Sequence, residues 1–406
     1  MRIHAFRGLR YSTPGETGAH AGPPYDQIDE ELRAELHENP RHFAHLIRPF
    51  SAREDPHRAA AELHQRWLGE GVISLESAPA LYPYEIRLPD GVSRTGICAL
   101  VGIEDESSDV IRPHEATMDK TVDERLSLLR KTQIDLEPIL MLAEDDGRIN
   151  HLLAEDLAAL PPLAQHRDVD SNLHILYRLD DGDRIAIYQQ TLASCVGLIA
   201  DGHHRYTVSR RYAAEIGAQP GLIPAAKLAV VTSLVSPGLE IDPVHRRLLG
   251  PLNVEAAAHL AAGHRRISGA SGTEIAGAVA AAEQPAIGVS TGDHTELWSC
   301  SPDQAPGSLP AHLQHLAVGW LHGALLPELG LAAESATDGT VIYRSDPDRL
   351  HLELRENRAD VGFWLPPMSA DDFARAMTGG ELLPPKSTRF LPKLASGLVW
   401  AGHDLG

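Results

Sequence analysis

Residues 201–206 read Asp-Gly-His-His-Arg-Tyr, which puts an acid, two imidazoles and a guanidinium within five positions. The apolar run Cys195–Ala200 precedes them, helical character follows from His203, and Gly217 is a natural stop. Asp201-Gly202 therefore marks a tight turn between a buried strand and a helix start. At such a junction the first backbone N–H groups lack an intrahelical acceptor and the helix dipole favours an anion. The residue types suit a phosphate. Arg205 can hold it bidentately, and Asp201, His203 and His204 can carry charge, a metal ion or a proton. The pattern points to anion binding and leaves the reaction open. The alternative is a surface His pair with Arg205 held by a nearby acid.

Three other clusters carry chemistry. Arg112-Pro113-His114-Glu115 offers His114 and Glu115 as a general base or Mg²⁺ ligands, or else as a capping arrangement ahead of a helix at Asp123. Asp242-Pro243-Val244-His245-Arg246-Arg247 is an anion-facing loop or a solvated charged turn. Pro385–Lys393 combines Lys386, Ser387, Thr388 and Lys393 with stiffening prolines, which suits an oxyanion. It lacks the spaced glycines of a Walker A loop. Only five of the 36 basic residues are lysines, and two of them fall in this segment. A chain so biased toward Arg keeps Lys where a compact point charge matters.

The elements that must position these groups are mixed. Pro56–Glu70, Asp123–Lys131, Thr273–Ala282, His312–Leu325 and Ser369–Met377 read as helices. Ala80–Leu88 pairs with Arg94–Ile103 around Pro89-Asp90-Gly91, and Leu173–Leu179 with Arg184–Tyr188 around Asp180–Asp183. Phe43–Ile47, Lys227–Leu234, His351–Leu354 and Asp360–Leu365 read as further strands. Strands and helices do not alternate regularly, so the expected class is α+β in two lobes, 1–249 and 250–406.

Composition bounds the function. The chain has 406 residues, 43% hydrophobic and 23% charged, as in soluble globular proteins. A formal charge of -20 disfavours a nucleic acid polymer as partner. No apolar run reaches membrane-span length and MRIHAFRGLRYS has no secretory core, so a cytoplasmic protein is expected. Cys98, Cys195 and Cys300 are too few and too far apart to suggest a disulfide framework or a zinc site. HExxH, GxGxxG and the kinase motifs are absent.

In order along the chain, PPYDQI, Asn39-Pro40 with Phe43, Arg48-Pro49, RPHEAT, DERLSLLRK, ADGHHRY, Pro243-Val244-His245-Arg246 and PKSTRFLPKLASGL resemble the domain of unknown function family DUF ten-fifteen almost from end to end. One departure is Tyr206-Thr207-Val208-Ser209, where the family places a Thr-Ala pair after the signature. More distantly, the DGHHR turn within 195–217 looks like the phosphate-binding turn of the ParB/sulfiredoxin-like superfamily, and above all its free-serine kinase branch, which uses ADP as donor. The resemblance implies a ParB/sulfiredoxin-like strand-turn-helix phosphate site in the first lobe.

The expectation is a nucleotide-dependent phosphotransferase acting on a small hydroxyl metabolite such as free serine, with Mg²⁺ and ADP or ATP. Gly202 and Arg205 would hold phosphates, with His114, His245, Arg246, Lys386, Ser387, Thr388 and Lys393 as further contacts. Asp201 or Glu115 would carry Mg²⁺ or act as base, and His203 or His204 would stabilise the transferring group. A phosphatase of a phosphorylated metabolite and a non-enzymatic nucleotide sensor are the alternatives.

Overall fold

Apolar residues at every second position build the first sheet. Ile97, Ala99 and Val101 on one strand, Ile139, Met141 and Ala143 on another, and Ala229 and Val231 on a third enter one buried cluster. Period-two spacing sends them to the same face. A computed structural model describes residues 1–52, 54–105, 107–219, 225–250, 252–267, 271–291, 294–331, 339–358, 360–378 and 382–403. It is a mixed α/β structure.

The described chain divides into two units. One comprises Met1–Pro113, Thr117–Leu239 and the segment from Pro392 onward; the other comprises His114–Ala116 and Glu240–Leu391. The first unit holds a nine-stranded sheet of β1 (Ile3–His4), β2 (Tyr82–Arg87), β3 (Ser93–Gly102), β4 (Ile111–Arg112), β5 (Ile139–Ala143), β6 (Pro162–Arg167), β7 (Leu173–Tyr177), β8 (Gly197–Asp201) and β9 (Ala226–Ser233). The order is β4-β8-β5-β9-β3-β2-β7-β6, with β1 paired to the far end of β3. β8 runs parallel to β4 and antiparallel to β5, while β9 runs parallel to β5. Every residue of β5 and β9 is buried, as in strands covered on both faces.

The helices of this unit are α1 (Glu30–Leu36), α2 (Pro56–Gly69), α3 (Asp119–Thr132), α4 (Arg148–Ala159), α5 (Gly182–Ala193) and α6 (His203–Glu215). Ile149 and Leu153 of α4 and Tyr188 and Leu192 of α5 pack into the sheet cluster at helical spacing. Val122, Leu126 and Leu129 of α3 meet Val208 and Tyr212 of α6 in a second cluster. This contact holds the helix that carries the HHRY residues.

The second unit has its own sheet, antiparallel throughout: β10 (His245–Leu248), β11 (Gly263–Ile267), β12 (Ala286–Thr291), β13 (His294–Ser299), β14 (Val341–Arg344) and β15 (Val361–Trp364), in the order β11-β13-β12-β15-β10-β14. Helices α7 (Gly272–Ala280) and α8 (Pro347–Glu356) bury Ile275, Val279, Leu350 and Leu354 against Trp364 and Leu297. Helix α9 spans Ala370–Thr378, with Ser369 accepting from the Asp372 N–H at 3.0 Å.

Three expected strands are helical. Ala44–Ile47 forms a helical turn, because Phe43, Leu46 and Ile47 recur at three- and four-residue spacing and all three are buried. Arg184–Tyr188 lies in α5, where Asp181 accepts from the Arg184 N–H at 2.8 Å and makes the Asp-Gly pair a helix start rather than a hairpin turn. His351–Leu354 lies in α8, started by the Asp346 cap and Pro347. The expected helix His312–Leu325 is broken, with a 3₁₀ turn at Ala311–Leu313 and a π-helical turn at Leu321–Leu325. The β2–β3 pair forms as expected, antiparallel, with Gly91 at φ 90° in its turn.

Candidate functional site

β8 ends at Asp201, Gly202 turns the chain, and α6 begins at His203. Gly202 is required twice over. Its φ of 100° strains any L side chain, and a Cβ there would lie 2.4 Å from Ile139 Cγ2 and 3.1 Å from Arg205 Nε. The missing side chain lets Arg205 fold back under the turn. Gly202 offers no side-chain cap, and the α6 ladder opens with the Tyr206 N–H donating to the Gly202 carbonyl at 2.9 Å.

Two cations grip Asp201. Lys393 Nζ donates to Oδ1 at 2.7 Å and Arg205 Nη2 donates to Oδ2 at 2.9 Å. Burial alone would raise this carboxyl, but Lys393, then Arg205, hold it well below the usual carboxylate range. The second half of the Arg205 guanidinium donates from Nη1 to the Pro138 carbonyl at 2.9 Å, while its buried Nε has no hydrogen-bond partner among the described residues. Burial opposes the charge of Arg205, yet Glu137, Asp201 and Asp26 keep it above its ordinary value. The Tyr25 ring lies 5.8 Å from this guanidinium and 4.3 Å from that of Arg125, and burial pushes the Tyr25 hydroxyl up to about 12.

Sequence reasoning passed over the support behind Arg205. Glu137 Oε1 accepts from the Tyr25 N–H at 3.0 Å and from Ser396 Oγ at 2.9 Å. Lys227 Nζ donates to the Glu137 carbonyl at 2.8 Å and pairs with Asp135, whose other oxygen accepts from the Leu228 N–H at 2.6 Å. Burial lowers Lys227, and Asp135 opposes that fall. A cavity of about 50 Å³ lies among Arg205, Glu137, Asp135, Lys227 and Arg125, with Leu128, Leu129 and Val208 on its apolar side. The one available signal was Lys227 itself, a rare lysine inside an apolar strand.

His203 is buried and its proximity favours the ionised form of Asp201. His204 Nε2 accepts from the Met118 N–H at 3.0 Å, so it fixes the start of α3, which has no side-chain cap of its own. Among the sequence-selected residues, Asp201, Gly202, His203, His204, Arg205 and Lys393 belong to the first unit.

The others belong to the second unit. His114 Nε2 and Thr388 Oγ1 share a hydrogen bond of 2.8 Å, with the His114 ring edge-on to Phe373. Fully buried Arg246 donates from Nη2 to the Pro385 and Lys386 carbonyls, each at 3.0 Å, from Nη1 to the Val244 carbonyl, and from Nε to His322 Nε2 at 3.2 Å. Burial lowers Arg246 to about 10, and Tyr343 and Glu115 counter that fall. Arg246 therefore shapes the loop in which Lys386 takes φ 56° and Ser387 Oγ donates to the Pro384 carbonyl at 2.5 Å. His245 Nδ1 accepts from the Leu365 N–H at 3.2 Å, and burial lowers this imidazole to about 4.

The chain belongs to the family Protein of unknown function (DUF1015), whose model matches residues 3–312. No curated protein matches it. Among solved structures it is similar to a conserved hypothetical protein from Pyrococcus furiosus, with 15% identity over 76% of this chain and 97% of the other and a TM-score of 0.37. It is similar to a free serine kinase in complex with AMP, with 16% identity, 76% and 93% coverage and a TM-score of 0.37. It is also similar to SbnI with C-terminal truncation from Staphylococcus aureus, with 14% identity, 73% and 84% coverage and a TM-score of 0.40. Scores of this size do not define a shared fold. No helix among the described residues is long and apolar enough to cross a membrane.

Proposed function

We propose that the β8–Gly202–α6 junction binds the phosphates of ADP or ATP and that the protein is a phosphotransferase acting on a small hydroxyl metabolite such as free serine. The supporting observation is the pair of cations, Lys393 and Arg205, that converges on one carboxylate at an uncapped helix start. Phosphoryl transfer asks a protein mainly for positioning and charge neutralisation. The first-turn N–H groups of α6 and the Lys393 ammonium supply both, and Arg205, anchored on Asp201 and Pro138, holds the turn in shape.

Both Asp201 oxygens already accept from cations. A divalent ion on Asp201 would have to displace Lys393, so in this proposal Mg²⁺ enters on the nucleotide phosphates. Asp201 then acts as the counter-ion that sets Lys393, and His203 and His204 stiffen the turn.

The test is isothermal titration of ADP and ATP with Mg²⁺, followed by analysis of products with serine present. Binding that weakens about tenfold or more in Lys393→Met, with phosphoserine formed by the native chain, is the expected result. Nucleotide affinity equal in the native chain and in Lys393→Met would overturn the site assignment. Release of phosphate from a phosphorylated metabolite without nucleotide would assign the site to a phosphatase instead.

A further inference from the structure

The second unit contains a cavity of about 360 Å³, lined in part by Ser387. That volume falls in the range of small-ligand sites, roughly 300–1,000 Å³. Its lining is short of hydrogen-bond donors. Pro243, Pro285, Pro302, Pro366 and Pro367 have no N–H, and the Pro285 and Pro302 carbonyls already accept from the Cys300 and Ala305 N–H groups at 2.7 and 3.2 Å. Among the described lining residues there is no Lys, Arg, Asn, Thr, Tyr or Trp.

The donors that are present are largely committed elsewhere. Ser387 Oγ donates to the Pro384 carbonyl at 2.5 Å, and His315 Nε2 donates to the Asp372 carbonyl at 3.2 Å. The Leu365 N–H donates to His245 at 3.2 Å and the Met368 N–H to the Ile241 carbonyl at 3.0 Å. Of the side chains, only Gln284, exposed at the rim, keeps a donor to spare.

Two of the lining residues are carboxylates. Glu283 lines the cavity with a carboxylate that has no hydrogen-bond or ionic partner among the described residues. Asp372 adds a second carboxylate, one oxygen accepting from Arg375 at 2.9 Å and the other from Ser369 Oγ at 2.7 Å. Val279, Leu316 and Leu365 make the deeper wall apolar. A ligand matching this surface carries several N–H donors and positive charge on an aliphatic body. It carries no carboxylate or phosphate, because the lining holds no Lys or Arg to receive one.

From this lining we infer that the cavity of the second unit is a binding site for aliphatic amines, with an ammonium directed to Glu283 and the alkyl chain laid along Val279, Leu316 and Leu365. Of the expected phosphate contacts, only Ser387 also lines this cavity. α-Amino acids are excluded from it by their carboxylate.

The test uses butylamine, putrescine and spermidine as probes on the full chain, with butanol and butyrate as controls, read by calorimetry and saturation-transfer NMR. Glu283→Gln removes the unpaired charge from an exposed position, and Ala280→Trp, on the exposed side of α7 at the cavity wall, fills the space. Unliganded melting temperatures report whether each variant folds. The expected result is amine binding, no butyrate binding, an affinity about tenfold weaker in Glu283→Gln, and no binding in folded Ala280→Trp. Absence of amine binding, equal binding of butyrate, or amine affinity unchanged in Glu283→Gln would overturn the inference. Nucleotide titration of the same samples reads the phosphate site separately.

Discussion

Replacing Lys393 with Met keeps the length and apolar stem of the side chain and removes its ammonium. Asp201 then retains only Arg205. A charge-assisted hydrogen bond contributes about 1.5–3 kcal/mol. The two side chains are 17% and 20% exposed, so solvent screens part of this and the loss falls near the lower end, about 1.5–2 kcal/mol. At about 2–4 °C per kcal/mol for units of roughly 150–250 residues, the melting temperature drops by about 3–8 °C. The pH dependence has a definite sign. Asp201 is held below its ordinary value, so its contribution is present above the unfolded value near 3.9 and is lost as pH falls through the folded value. The difference between native chain and variant should therefore persist undiminished from about pH 7 to about pH 5, where Asp201 is ionised in both. Thermal melts followed by circular dichroism in low salt measure it. A melting temperature within about 1 °C of native across that range would refute the claim that Lys393 holds Asp201.

Gly202→Ala adds left-handed strain of about 1–2 kcal/mol to a clash with Ile139 that costs about 1–3 kcal/mol; urea unfolding should show a loss of at least about 2 kcal/mol, and a near-native midpoint would contradict the turn geometry. Lys227→Met leaves Asp135 buried and uncompensated and should cost about 3–5 kcal/mol. Adding Asp135→Asn, which still accepts from the Leu228 N–H, should restore part of it in a double-mutant cycle, and strict additivity would count against the pair. Burial lowers His42, His64 and His245 to about 4 and His322 to about 3. These imidazoles are neutral when folded, so their stability contribution is full above about pH 6.5 and is lost as pH falls toward about 4. A urea midpoint that stays flat from about pH 7 to about pH 4.5 would refute it.

Sequence spacing made the strand–turn–helix at Cys195–Gly217 visible because its signals are local: an apolar run, Asp-Gly and a helical period. The β2–β3 pair was visible for the same reason. Arg184–Tyr188 and His351–Leu354 were not, because Asp181 and Asp346 serve equally well as turn residues and helix caps, and only the depth of burial of Tyr188 and Leu350 separates the two. Lys227 lies on β9, Asp135 and Glu137 lie in the stretch that leads into β5, and their meeting depends on the pairing of β9 with β5. No local pattern encodes that pairing.

The strand-like segment that supplies Lys393 also supplies Ser396 to Glu137 and buries Trp400 between Tyr11 and Phe43, with Leu9 and Trp400 exchanging backbone hydrogen bonds. The second unit is thus an insertion in the chain of the first. During synthesis the ribosome must deliver residues 240–391 before the earliest strands can find their last neighbours. Contacts this distant in sequence form slowly, and a nascent chain halted at Leu391 has no cation at 393 to meet Asp201. The Lys393–Asp201 pair can therefore form only after residues 240–391 have been made, long after the HHRY residues appear.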